Sequence, residues 1–198
     1  MKLESAFRLG LLPSVLVARF AAARLRGRDG VVDDDTIREL MAVTLLTAEL
    51  PGPPPMRPRD HTGAIAWARD ISQRAMAATA ASTEQTAALL LGLAVGDLIH
   101  SVELHALVHE LRAAGAEALD EHDRSLTAAE DTARKVFALA AQNPSLPPAV
   151  KPVLFRLIAV VRTLDHQAPR AAVLRHVREL LGPLSDALTP PAASDRTS

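Results

Sequence analysis

The chain has 198 residues, of which 48% are hydrophobic, 23% charged and 3% aromatic, and it contains no cysteine. Its 37 Ala, 30 Leu and 19 Arg against 9 Gly and no Tyr form a helix-favouring mixture and exclude an all-β fold. A net charge of -1, from 22 basic and 23 acidic residues, lacks the basic excess that nucleic-acid backbones select, so no nucleic-acid partner is expected. The missing cysteine removes disulfides, thiol nucleophiles and thiolate metal sites, and it fits a cytoplasmic location.

In chain order, residues 1–30 read as an N-terminal helix packed on or flanking a bundle. The apolar run Leu9 to Ala18 has Glu4 before it and Arg19, Arg24, Arg26 and Arg28 after it. Those charges oppose both a cleaved signal and a membrane span, and the run is shorter than the ~20 apolar residues a span needs. Pro13 marks the expected helix start, because a proline in a first turn loses no hydrogen bond. Asp33, Asp34 and Asp35 precede a helix from Thr36 to about Leu50, where carboxylates oppose the positive end of the helix dipole. Ile37, Leu40, Met41, Thr44 and Ala48 share one face of that helix.

Five prolines between Pro51 and Pro58 predict a semi-rigid spacer; their PxxP spacings arise freely in any proline cluster. A helix from Gly63 to Ala81 follows, with Trp67 as a core anchor among Ala64, Ala68, Ile71, Ala75 and Ala78. Ser82 to Gln85 is a capping-box pattern that opens the longest helix, Thr83 to about Ala114, in which Gly92 and Gly96 allow a kink or a close crossing. Thr127 to Glu130 is a second capping box, predicting a helix to about Ala141. Ala149 to about Asp165 is apolar almost all round and is expected at the bundle centre. A last helix from Pro169 to Leu181 presents Val173, Leu174, Val177, Leu180 and Leu181, with Gly182 and Pro183 closing it. The expected organisation is an all-α, single-domain bundle of six or seven helices over residues 31–182 with one long central helix. Residues 183–198 are expected to form a disordered tail.

No P-loop, GxGxxG, GxSxG or HExxH motif occurs, so no catalytic residue, metal or cofactor is expected. The one concentration of unusual side chains lies on the long helix. At 100° per residue, Asp97 and His100 share the stripe of Leu90, Leu93, Leu104, Leu107 and Leu111, so both are expected to face the core. Their i, i+3 spacing allows a direct polar pair or two contacts to one ligand, which makes Asp97 and His100 the candidate ligand-binding residues. His105 and His109 lie off the stripe and read as surface histidines.

The run Gly96, Asp97, Leu98, Ile99, followed by an apolar helix and Gly115, is similar to the second metal-binding helix of the MazG-like all-α nucleotide pyrophosphatases. That family requires an acidic residue where this chain has Ala94, and an acidic pair on the preceding helix, where Ala64 to Ala78 offers only Asp70. The similarity therefore reaches the fold and leaves most magnesium ligands unsupplied. The expected function is a non-catalytic regulatory or accessory protein that binds another protein or itself, because more apolar helical faces are present than one bundle consumes. A homo-oligomer using the long helix or the last helix is expected, and no membrane partner is. The alternative is a small-molecule or metal site, possibly enzymatic, at Asp97 and His100.

Overall fold

A computed structural model of the chain describes residues 1–113, 120–163 and 170–189. Among them are seven helices and no strand: α1 (Leu3–Leu25), α2 (Asp34–Thr47), α3 (His61–Thr79), α4 (Thr83–Ala113), α5 (Asp120–Gln142), α6 (Val150–Arg162) and α7 (Arg170–Leu188). The all-α bundle with a long helix is thus the observed architecture. Residues 190–198 of the expected tail lie outside the described residues, as does the expected break at Gly115.

The centre of the bundle is the pair α1 and α4. The first helix begins at Leu3, ten residues before Pro13, and runs through that proline with Phe7, Leu9, Leu16 and Phe20 almost wholly buried. Pro13 removes one helical hydrogen bond, but burial on nearly every face of α1 outweighs that loss. The two helices run parallel and touch through their backbones. A β-carbon added to Gly92 would sit 2.0 Å from the Phe7 carbonyl oxygen, and one added to Gly10 would sit 2.3 Å from that of Leu89. At Gly96 the same atom would meet the Leu11 carbonyl oxygen at 2.7 Å. The glycines therefore serve a close crossing, and α4 stays one helix through them. Both helices are long and apolar enough to cross a membrane, but 67% and 72% of their apolar windows are buried against the rest of the chain.

α2 and α3 pack separately on α1, α3 also touching α4, and with the linker that joins them they make up an outer layer. Asp33 caps α2 by accepting from the Thr36 amide at 2.7 Å, and Asp60 caps α3 by accepting from Gly63 at 2.7 Å. The proline linker is pinned at both ends: Arg74 donates to the Pro51 carbonyl at 3.0 Å, and the His61 amide donates to Asp29 at 3.2 Å. The linker thus returns from the end of α2 to its beginning, and α2 and α3 run in the same direction. α3 buries Ala64, Trp67, Ile71 and Ala75, the face its periodicity predicts. On α2 the buried residues are Thr36, Leu40, Val43 and Thr47, about a quarter-turn from the predicted face, which leaves Ile37 and Met41 exposed. A helix with apolar residues on two sides does not say by periodicity which side packs.

Four further expectations are corrected. Only half of the first capping box forms: Ser82 Oγ accepts from the Gln85 amide at 3.3 Å, while the Gln85 side chain reaches the Met1 carbonyl instead. Thr127 lies inside α5 rather than at its start. α6 is peripheral, with Leu154 and Leu157 buried and Phe155 exposed, because α1 and α4 already occupy the centre. α7 does not stop at Gly182 but continues through Pro183 to Leu188, so residues 183–188 are helical rather than tail. Leu184 and Leu188 are fully buried there, and Ser185 donates to Glu4 of α1 at 3.2 Å. That burial outweighs the hydrogen bond Pro183 removes.

Candidate functional site

The stripe carrying Asp97 and His100 passes through two environments. Toward the C-terminal end of α4, Leu104 and Leu107 are buried against Ala21 of α1. Toward the N-terminal end the same stripe lines a surface groove of about 540 Å³ between α4 and α5. Leu90, Leu93, Ala94 and Asp97 form one wall; Val136, Leu139 and Ala140 form the other. The two leucines at its rim are open to solvent, Leu90 at 45% and Leu139 at 68%.

Asp97 is positioned by the α1–α4 crossing. The close approach at Gly96 brings Ser14 beside it, and the Ser14 hydroxyl donates to Asp97 Oδ1 at 2.9 Å. Asp97 is exposed, contrary to the core-facing position expected for it, although protein packed beside it limits the hydration of its carboxylate. That partial desolvation pushes its pKa up, and the Ser14 hydrogen bond only partly offsets the shift. The expected direct pair with His100 does not form: Asp97 turns to Ser14 of α1.

His100 points elsewhere, half-buried near the start of α3. Its imidazole pKa is pushed down to about 4, chiefly by burial and secondly by the neighbouring His61. His61 in turn faces Arg24 of α1, with Nδ1 and the guanidinium 3.4 Å apart. His100 is thus neutral at physiological pH and lies outside the walls of the Asp97 groove. His105 is buried, contrary to the surface position expected for it, while His109 is exposed. Among the described residues no three His, Asp or Glu side chains come together in a cluster able to hold a metal ion.

A second concavity, about 380 Å³, lies where α1, α4 and α7 meet and is lined by Arg19, Arg26, Arg28, Asp33, Glu103 and Glu110. Its charges are largely paired. Arg19 donates to Glu39 at 2.8 Å, and Arg178 pairs with Glu103. Burial raises the Glu103 carboxyl against the opposing pull of Arg178 and Arg19. Cations and anions of this wall balance, so it presents no net charge to a ligand.

The feature that sequence reasoning missed lies on the α2–linker–α3 layer. Ile37, Met41 and Leu45, spaced i, i+4, i+8, are exposed on α2, and Met56 on the linker is 87% exposed. Ile65 and Met76 are exposed on α3. The signal present in the sequence was the placement of all three methionines after Met1, at 41, 56 and 76, within this one segment. No protein-family model matches the chain, and neither a curated protein nor a solved structure does.

Proposed function

We propose that this is a non-catalytic helical protein that acts by binding another protein through the outer surface of α2, the linker and α3. One observation carries the reading. Of the ten large hydrophobic side chains exposed among the described residues, Val31, Ile37, Met41, Leu45, Met56, Ile65 and Met76 fall between α1 and α4 in the chain. Scattered exposed apolar residues are ordinary; their concentration on one layer is characteristic of interaction surfaces. Methionine is unbranched and polarisable, so a surface rich in it adapts to the shape of what it meets. A second copy of the chain is one partner of this kind, and the exposed layer is a better candidate for it than the inward-facing apolar stripes of α4 and α7. The reading places the protein in the cytosol, in keeping with its lack of cysteine.

The test uses Met41→Glu, Leu45→Glu and Met56→Glu in the full chain. All three positions are exposed, so each variant should keep its thermal midpoint within about 2 °C. Each should lose the stoichiometric partner that a tagged wild-type chain recovers, or, where the partner is a second copy, should sediment as a monomer when the wild type sediments as a dimer. Retention of the same assembly by all three variants would refute the reading.

A further inference from the structure

The groove between α4 and α5 is a separate surface from the methionine layer, and its composition is unusual. Its walls are aliphatic along the α4 segment from Ala87 to Asp97, a length of about 15 Å at 1.5 Å per residue. Asp97 stands at the end of that segment. Among the described residues no cation pairs with it; its one hydrogen-bond partner is the neutral Ser14 hydroxyl.

A carboxylate is not needed to tie α4 to α1. Asparagine would accept the same Ser14 hydrogen bond without placing a charge against an aliphatic wall, and Asp97, although exposed, sets its carboxylate beside such a wall with no ionic partner. The partial desolvation that raises the Asp97 carboxyl would be offset by an incoming cation, which is what an unpaired carboxylate at the end of an apolar groove favours. A volume near 540 Å³ lies within the 300–1,000 Å³ typical of small-ligand sites.

We propose that the α4–α5 groove binds a small amphiphilic amine, its aliphatic chain lying between Leu90, Leu93, Val136 and Leu139 and its ammonium group paired with Asp97. Ser14 is a positioning residue: its hydroxyl holds one carboxylate oxygen and leaves the other for the cation. Chain length is selected by the distance from Asp97 to the open end of the groove, and charge is selected by Asp97 itself. Binding requires the ionised carboxylate, so affinity falls when acid protonates Asp97.

The experiment is calorimetric titration of the full chain at pH 7 with decylammonium below its micelle concentration. Decanoate and decanol serve as probes with the same chain and a different head. Wild type should bind one decylammonium saturably, and bind decanoate and decanol at least tenfold more weakly. Asp97→Asn, which keeps the Ser14 bond, should weaken decylammonium binding by tenfold or more. Leu139→Ser leaves Asp97 intact at an exposed position and should weaken it several-fold, which keeps the test decisive should the Asp97 variant fold poorly. Equal affinity for the three heads, an unchanged Kd in Asp97→Asn, binding indifferent to Leu139→Ser, or no saturation would each overturn the proposal. Because the methionine-layer variants do not touch this groove, failure here leaves the proposed protein-binding role standing, and the reverse holds too.

Discussion

Replacing Gly92 by alanine tests the parallel backbone crossing on which the whole bundle is built. The added carbon would lie 2.0 Å from the Phe7 carbonyl oxygen and 2.9 Å from its carbon, and both atoms are main chain, so no side chain can swing aside. Restoring ordinary contact requires α1 and α4 to part by about 1 Å. A gap of that size forfeits roughly a quarter to a half of the dispersion energy of the atoms that separate. Those atoms belong to the most extensive helix–helix interface among the described residues, which includes Phe7, Leu11 and Leu89. Over-packing of this kind costs about 1–3 kcal/mol and more where the backbone must move; the gain in helix propensity from Gly to Ala returns about 1 kcal/mol. The expected net loss is about 2 kcal/mol, or roughly 4–8 °C in Tm for a chain of this size. Gly182→Ala is the matched control, since nothing lies within 4 Å of the position its β-carbon would take. There the propensity gain is opposed by the crowding that Pro183 imposes on a preceding residue with a side chain, and the net should fall within about 1 kcal/mol of zero. Urea unfolding of both variants measures the difference. If Gly92→Ala unfolds within about 1 kcal/mol of wild type, the backbone contact between α1 and α4 does not exist in solution.

Three further outcomes follow from the geometry. A carboxyl whose folded pKa is raised binds its proton more readily in the native state, so ionised Asp97 lowers stability above the ordinary carboxylate range; Asp97→Asn should therefore raise Tm at pH 7, with a gain that shrinks as acid passes through that range. His100 shifts the other way: with a folded pKa of about 4 against 6.5 when unfolded, the unfolded chain takes up its proton first on acidification, and stability is lost as pH falls from 6.5 toward 4. The loss from this group between pH 7 and pH 5 is at most about 2 kcal/mol, and His100→Gln should remove it, as parallel unfolding curves at the two pH values would show; equal slopes in both proteins would refute the assignment. Leu184→Ala, beyond the proline where the last helix was expected to end, should cost about 2–5 kcal/mol by leaving a cavity under α7, whereas a change below 0.5 kcal/mol in chemical denaturation would mean that this segment does not dock.

Helix identity was legible in the sequence because it depends on local chemistry. Alanine and leucine content, the capping carboxylate of Asp33 and the prolines of the linker all act within a few residues of themselves. What they did not encode is which apolar face meets which. α2 is apolar on two sides, α6 is apolar nearly all round, and periodicity ranks neither face of the first nor the depth of the second. That choice belongs to α1 and α4, whose small residues let two backbones touch and so claim the centre of the bundle. Asp97 and His100 illustrate the same division. Their shared stripe was readable from spacing at 100° per residue, but α1 brings Ser14 to Asp97 while α3 brings His61 toward His100, and so the two side chains serve different environments. The methionines at 41, 56 and 76 were visible as letters, and only the docking of α2 and α3 on α1 turned them outward. Local hydrogen bonding and chain entropy decide where helices form, whereas the partners that each face finds, and the faces left without one, are decided by packing between segments far apart in sequence.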